Sequence, residues 1–135
     1  MTFIRAKDGA PYARLSGEDW PGFNEALSDA IGPLPPIGSP EPSLSTYWID
    51  RALRVTRELV DTGRSGLVQG GNAASIVVRD GQVVAVSDYD MFDDETMELP
   101  DFEQVLTEWR DEVVRVRDLE SPEIPETYRR NPYPD

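Results

Sequence analysis

Carboxylates are the only chemically active groups that this chain gathers densely in one place. Nine of them, with no Lys or Arg, lie between residues 88 and 109: Asp88, Asp90, Asp93, Asp94, Glu95, Glu98, Asp101, Glu103 and Glu108. Residues 80–135 carry 17 acidic and 5 basic side chains, whereas residues 1–79 carry 9 and 8. Clustered carboxylates can bind a divalent metal, form a catalytic acid–base pair, or face a basic partner. These three kinds of site are the alternatives for this stretch.

The spacing of the carboxylates does not favour a metal site. The run from Asp88 to Glu95 offers hard oxygen ligands, but it lacks the glycine at position six and the glutamate at position twelve of a calcium-binding EF-hand loop. The chain has no histidine and no cysteine, which removes the commonest general base, thiolate metal sites and disulfides. We therefore expect no metal, no cofactor and no catalysis. A small carboxylate- or metal-dependent enzyme is the alternative.

A basic protein partner explains the acidic stretch best, because so many carboxylates without a cation among them repel one another. Tyr89, Met91 and Phe92 lie among these charges outside any apolar stripe, a pattern typical of interface anchors, although such residues could equally fill the edge of a sheet. The same negative field disfavours nucleic acid and anionic lipid. The predicted partner-binding residues are Asp88, Tyr89, Asp90, Met91, Phe92, Asp93, Asp94, Glu95 and Glu98. A regulatory or scaffold domain whose acidic face only confers solubility is a further alternative.

The elements that position this stretch follow from hydrophobic periodicity and turn residues. Valine-rich runs on both sides of Asp80-Gly81 predict a β-hairpin with strands 72–79 and 82–88. Both faces of the hairpin are apolar, so we expect it to lie inside a covered sheet. A third strand is expected from residues 67–69 or 96–99, and a short separate strand from residues 2–6.

Three helices are predicted from apolar residues at helical spacing. Their expected ranges are 19–31, 46–62 and 100–117, with Trp20, Trp48 and Trp109 facing the core. Prolines make residues 32–45 an extended internal loop and residues 118–135 an extended C-terminal tail. The expected fold is a single α+β domain over residues 1–135. We expect a cytoplasmic protein, because the N-terminus lacks the apolar run of a signal peptide and no stretch is long enough to span a membrane.

Four motifs in the order found here resemble the small acidic α+β immunity proteins encoded beside polymorphic toxins in bacteria. They are Gly71-Asn72-Ala73-Ala74, then Asp88-Tyr89-Asp90-x-Phe92-x-x-Glu95-x-Met97, then Leu99-Pro100-x-Phe102 leading to Leu106-x-x-Trp109, and finally Ile124-Pro125-Glu126-Thr127-Tyr128. The resemblance covers residues 45–130. It implies a cytoplasmic protein that binds a cognate toxin domain with a basic surface and blocks its active site. Many such toxins are nucleases, deaminases or ADP-ribosyltransferases.

Overall fold

The computed structural model describes residues 1–5, 10–17, 19–40 and 43–123. In chain order the elements are β1 (Thr2–Arg5), β2 (Pro11–Arg14), α1 (Pro21–Asp29), α2 (Tyr47–Asp61), β3 (Gly66–Gly70), β4 (Ala74–Arg79), β5 (Gln82–Ser87), β6 (Glu95–Met97) and α3 (Leu99–Glu120). β1 and β2 form a two-stranded hairpin, and the other strands form an antiparallel sheet in the order β3-β4-β5-β6. The predicted α+β fold is confirmed.

The central hairpin β4–β5 is confirmed with its turn. Asp80 and Gly81 have φ of +50° and +80°, the two positive values that a type I′ turn requires. The register pairs Val78 with Val83 and Ile76 with Ala85. Both candidate third strands form, β3 beside β4 and β6 beside β5. Strand β2, which pairs with the predicted first strand, was not predicted.

The helices begin and end close to the predicted residues. Gly63, with φ of +66°, follows the C-terminal end of α2, and Pro100 lies in the first turn of α3. α3 continues to Glu120, three residues beyond the predicted end, and stops at Ser121, which adopts a left-handed conformation. The described residues 32–40 and 43–45 contain no helix or strand. Of the predicted tail, residues 124–135 lie outside the described residues.

All three helices pack on one face of the four-stranded sheet and share one apolar core with it. Trp109 is fully buried at its centre, where its indole Nε1–H donates a hydrogen bond to the Ile31 carbonyl oxygen (2.8 Å) and its ring stacks on Phe3. Trp20 and Trp48 are only half-buried, so the core position expected of all three tryptophans holds fully for Trp109 alone.

The opposite face of this sheet, here called the outer face, is not covered by the helices. Cross-strand pairing places Leu67, Val77 and Val84 side by side on it, and none of the three belongs to the shared core. Val84 is nonetheless buried, with 4 % exposure, and Val77 is half-buried, so of these three residues in the described part of the chain only Leu67 is largely exposed. In that same part, no helix combines the length and apolar character needed to cross a membrane.

Candidate functional site

Residues 88–94 connect β5 to β6 and are called the acidic turn. Ser87, the last residue of β5, holds this turn through its hydroxyl oxygen, which accepts hydrogen bonds from the backbone N–H of Met91 (2.8 Å) and of Tyr89 (3.3 Å). Asp90 adopts a positive φ of +55°, a conformation that Asp tolerates better than most residues. The backbone of the turn is thus fixed by local hydrogen bonds.

The tip of the acidic turn presents apolar surface to solvent. Tyr89 is 69 % exposed and Met91 is 78 % exposed, the highest value among the large apolar residues of the described chain. Asp90 and Asp93 are also exposed. Two large apolar side chains therefore lie beside two solvent-facing carboxylates.

Phe92 has a different role from its two neighbours. It is half-buried and packs against the core. A Cβ atom placed on Gly22 of α1 would lie only 2.5 Å from Cε2 of Phe92, so the ring contacts the helix backbone directly. For Phe92, the geometry favours filling the sheet edge over anchoring a partner.

Glu95 caps a helix that is distant in sequence. Its carboxylate accepts hydrogen bonds from the backbone N–H groups of Gly22 and Phe23, the second of them at 3.0 Å. These N–H groups lie in the first turn of α1, which has no acidic residue of its own and no side-chain cap. A carboxylate at this end of a helix is favoured by the free N–H groups and by the helix dipole. Glu95 therefore fixes α1 against the end of the acidic turn.

Three other predicted site residues bind neighbours within the protein. Asp94 forms an ion pair with Arg79 (2.7 Å), and the Asp88 carboxylate accepts a hydrogen bond from the Ser75 hydroxyl (3.3 Å). Glu98 precedes α3, and its carboxylate accepts a hydrogen bond from the Gln82 amide (2.6 Å).

Although no Lys or Arg lies near these carboxylates in the sequence, the fold brings arginines from other elements close to some of them. Besides the pair of Arg79 with Asp94, Arg57 of α2 pairs with Glu103 of α3. The Arg79–Asp94 pair is exposed and the Arg57–Glu103 pair is partly exposed, and pairs this accessible to solvent contribute little to the free energy of folding. They leave most of the negative charge of this side of the molecule facing solvent.

A groove of about 500 Å³ lies away from the acidic turn, between the proline-rich loop, α2 and the β3–β4 connection. Tyr12, Leu34, Ile37 and Trp48 supply its apolar wall, and Asp29 is its carboxylate. Asp29 holds the connection, because its Oδ2 accepts hydrogen bonds from the backbone N–H of Ala73 (2.7 Å) and of Ala74 (3.0 Å).

The hydrogen bonds to Asp29 also set its pKa. Burial alone would raise the pKa of this carboxyl, but the backbone N–H groups of Ala73, Asn72 and Ala74 outweigh burial and lower it. Across the described ranges, no cluster of three or more acidic side chains has the geometry to hold a metal ion.

Local sequence signals indicated the exposed residues of the site but not its structural members. Glu95 and Gly22 are separated by 73 positions, so no spacing rule connects them. Only the structure shows that the N-terminus of α1 has no capping side chain of its own. Comparison of the chain with protein-family models, with curated proteins and with solved structures gives no match.

Proposed function

We propose that this protein is a stoichiometric binding protein of the immunity type, which binds a cognate toxin domain in the cytoplasm and blocks its active site. The observation that carries this proposal is the acidic turn, where Tyr89 and Met91 are exposed beside Asp90 and Asp93 on a backbone held by Ser87. Large apolar side chains at the centre of a charged surface supply most of the binding energy in many interfaces.

The charge of the molecule supports a basic partner. Its net charge is −13, and the acidic turn lies in the half of the sequence that carries nearly all of it. Opposite charges accelerate the encounter of two proteins, and an immunity protein must capture its toxin quickly. Because hydrogen bonds fix the turn before binding, little conformational entropy is lost when the partner is bound.

The first step of the test identifies the partner. Immobilised protein is used to capture binding proteins from the native host, and the captured protein is identified and produced as an isolated domain. We expect a basic domain that inhibits growth when expressed alone. Co-expression of the wild-type protein should relieve the inhibition at a one-to-one ratio.

The second step tests the acidic turn with matched variants. Tyr89→Ala together with Met91→Ala should speed dissociation from the captured domain by at least about thirtyfold, since each truncated anchor removes about 1 kcal/mol or more. Asp90→Asn together with Asp93→Asn should slow association at low salt and flatten its salt dependence. Leu119→Ala is the apolar control, because Leu119 is 73 % exposed on α3.

Glu25→Gln together with Asp111→Asn is the charge-matched control, since both residues are exposed on helices. The two control variants should bind like the wild type. If the variants of the acidic turn also bind the captured domain like the wild type, the proposal is wrong.

A further inference from the structure

The groove between the proline-rich loop, α2 and the β3–β4 connection carries one charge. Asp29, which is half-buried, is the only charged residue among the described residues that line it. Burial opposes ionisation of this carboxyl, but hydrogen bonds from the backbone N–H groups of Ala73, Asn72 and Ala74 outweigh burial and lower its pKa, so it is ionised at neutral pH. A Cβ atom on Gly71 would collide with the carboxylate, so the connection packs closely on Asp29 only because residue 71 is glycine. The groove therefore has a fixed negative charge that attracts cations.

Two aromatic side chains line the same groove. Tyr12 of β2 and Trp48 of α2 both lie in its wall, and both are half-buried. Tyr47 packs against the indole of Trp48 nearly at a right angle, with an interplanar angle of 88° and a distance of 4.9 Å between the ring centroids, which limits rotation of the indole. A cation is attracted to the face of an aromatic ring, most strongly to that of tryptophan. A carboxylate beside aromatic rings suits an organic cation with an apolar stem.

The polar groups of the groove favour a guanidinium over an ammonium. Among the described residues, the Tyr12 hydroxyl and the Asn72 side-chain amide have no hydrogen-bond partner, so both oxygens can accept a hydrogen bond. Gln69 cannot, because Arg51, which does not line the groove, donates to its amide oxygen (2.6 Å) and to the Val68 carbonyl oxygen (2.7 Å). A guanidinium offers five N–H donors in one plane and stacks on aromatic rings, whereas an ammonium is compact and more strongly hydrated.

The groove is separate from the acidic turn but is joined to it through the protein backbone. The carbonyl oxygen of Ala73, in the β3–β4 connection, accepts a hydrogen bond from the backbone N–H of Asp88 (2.9 Å), the first residue of the acidic turn. An interface of standard size covers about 800 Å² on each partner. A protein bound at the acidic turn is therefore large enough to reach the groove as well.

We propose that this groove binds one arginine side chain of the basic protein partner, with its guanidinium at Asp29 and its aliphatic stem against Tyr12 and Trp48. This inference rests on the proposed function, because it takes the arginine from the toxin domain that the acidic turn binds. Arginine is one of the residue types that most often supply the binding energy of an interface, where it fills a pocket of the partner. The charge of the groove and its aromatic wall match that side chain.

The probe is N-acetyl-L-arginine methylamide, which carries the side chain without a protein around it. It is titrated at constant ionic strength into uniformly ¹⁵N-labelled protein while the backbone amide and indole N–H shifts are followed. We expect saturable shifts at residues 69–74 and at the indole of Trp48. The citrulline analogue has nearly the same shape but no charge and should bind at least about tenfold more weakly. The lysine analogue should also bind more weakly, because an ammonium is costlier to dehydrate.

The matched variants are Trp48→Leu in the groove and Trp20→Leu as the control. Trp20 is also half-buried, but it lines a different cavity, beside α3. Trp48→Leu keeps an apolar side chain and removes the ring, so it should weaken binding of the arginine probe by about threefold to tenfold, whereas Trp20→Leu should bind it like the wild type. Asp29→Asn keeps an oxygen for the backbone N–H groups and removes the charge, and it should weaken binding by about tenfold or more. Retained dispersion of the amide spectrum shows that each variant is folded.

Three outcomes with the probe overturn this inference: absence of saturable binding, shifts centred on the acidic turn or on α3, or equal affinity for the arginine, lysine and citrulline compounds. If the probe binds but the captured domain binds Trp48→Leu like the wild type, the groove takes a small organic cation and the inferred protein arginine is wrong.

The captured domain also separates the two proposals. If Tyr89→Ala with Met91→Ala weakens its binding and Trp48→Leu does not, the proposed function stands and the groove is not part of the interface. If only Trp48→Leu weakens it, the groove binds the partner and the acidic turn does not. Replacing the arginines of the captured domain by lysine, one at a time, should identify one substitution whose effect is lost in the Trp48→Leu background.

Discussion

The most consequential single side chain near the acidic turn is Glu95, because it satisfies the first N–H groups of a helix that cannot cap itself. Replacing it by Gln keeps an oxygen acceptor but removes the charge. We expect Glu95→Gln to lower the free energy of unfolding by about 1 kcal/mol, within the range measured for lost N-caps. Urea unfolding followed by tryptophan fluorescence measures this change.

Asp93→Asn is the control for that experiment, since Asp93 is an exposed carboxylate in the same segment. It should leave the unfolding midpoint unchanged or raise it slightly, because it removes one repelling charge. Equal midpoints for Glu95→Gln and the wild type would mean that the contact of Glu95 with α1 contributes nothing to folding.

Asp29 gives the fold a defined pH dependence. Its pKa is lowered in the folded protein, so its contribution to stability is present above the unfolded pKa of about 3.9 and is lost as the pH falls through the lowered folded pKa. Asp29→Asn should therefore destabilise the protein at neutral pH, and its difference from the wild type should shrink below about pH 4. The measurement is chemical unfolding across this range.

Ser28→Ala, the neighbouring substitution, provides the comparison because a hydroxyl does not titrate in this range. Its effect on the unfolding midpoint should be the same at every pH. A destabilisation by Asp29→Asn that persists undiminished in acid would show that the carboxylate charge is not what holds the β3–β4 connection.

At the scale of elements, the end of α3 offers a clean test of local strain. Ser121 follows the helix in a left-handed conformation with φ of +44°, which costs an L-residue about 1 kcal/mol and costs glycine almost nothing. Ser121→Gly should raise the melting temperature by roughly 3–5 °C relative to Ser121→Ala. Both variants lose the hydrogen bond from the Ser121 hydroxyl to the Arg117 carbonyl oxygen, so their difference isolates the backbone effect. Equal melting temperatures for the two variants would mean that residue 121 does not adopt a left-handed conformation at the end of α3.

Elements whose signals are local were predictable, and contacts between distant elements were not. Asp80-Gly81 defines its hairpin within four residues, and Pro100 marks the start of α3 through its own fixed φ. β2 was missed because its four residues begin with Pro11 and are too short to show an alternating pattern. The contact of Phe92 with Gly22 depends on tertiary structure alone.

The same distinction between local signals and contacts of distant elements applies to the candidate site. Tyr89, Met91 and Phe92 all lie outside any periodic apolar stripe, so the sequence could not tell that the first two are exposed and that Phe92 packs against the core. The ion pair of Arg79 with Asp94 was not predictable either, because it depends on how β4, β5 and β6 align.

For the whole molecule, the distribution of charge opposes folding and favours association. Helices cover one face of the sheet, while the acidic turn remains exposed and most carboxylates of the described residues face solvent. Self-repulsion of this kind destabilises the compact state. It is relieved when a basic surface is bound, so binding and stability are linked: a basic partner should raise the melting temperature in proportion to the logarithm of its concentration.

The salt dependence of stability tests this description without any partner. Raising NaCl from about 20 mM to about 300 mM shortens the Debye length from roughly 20 Å to roughly 6 Å and screens the repulsion. We expect the melting temperature to rise, since the exposed ion pairs that salt also weakens contribute little. Asp90→Asn with Asp93→Asn should raise the melting temperature at low salt and reduce its rise with salt. Glu25→Gln with Asp111→Asn removes the same charge from helices and should do both to a smaller extent. If salt instead lowers the melting temperature of the wild type, the ion pairs outweigh the repulsion. The carboxylates of the acidic turn then do not destabilise the free protein in a way that a basic partner would relieve.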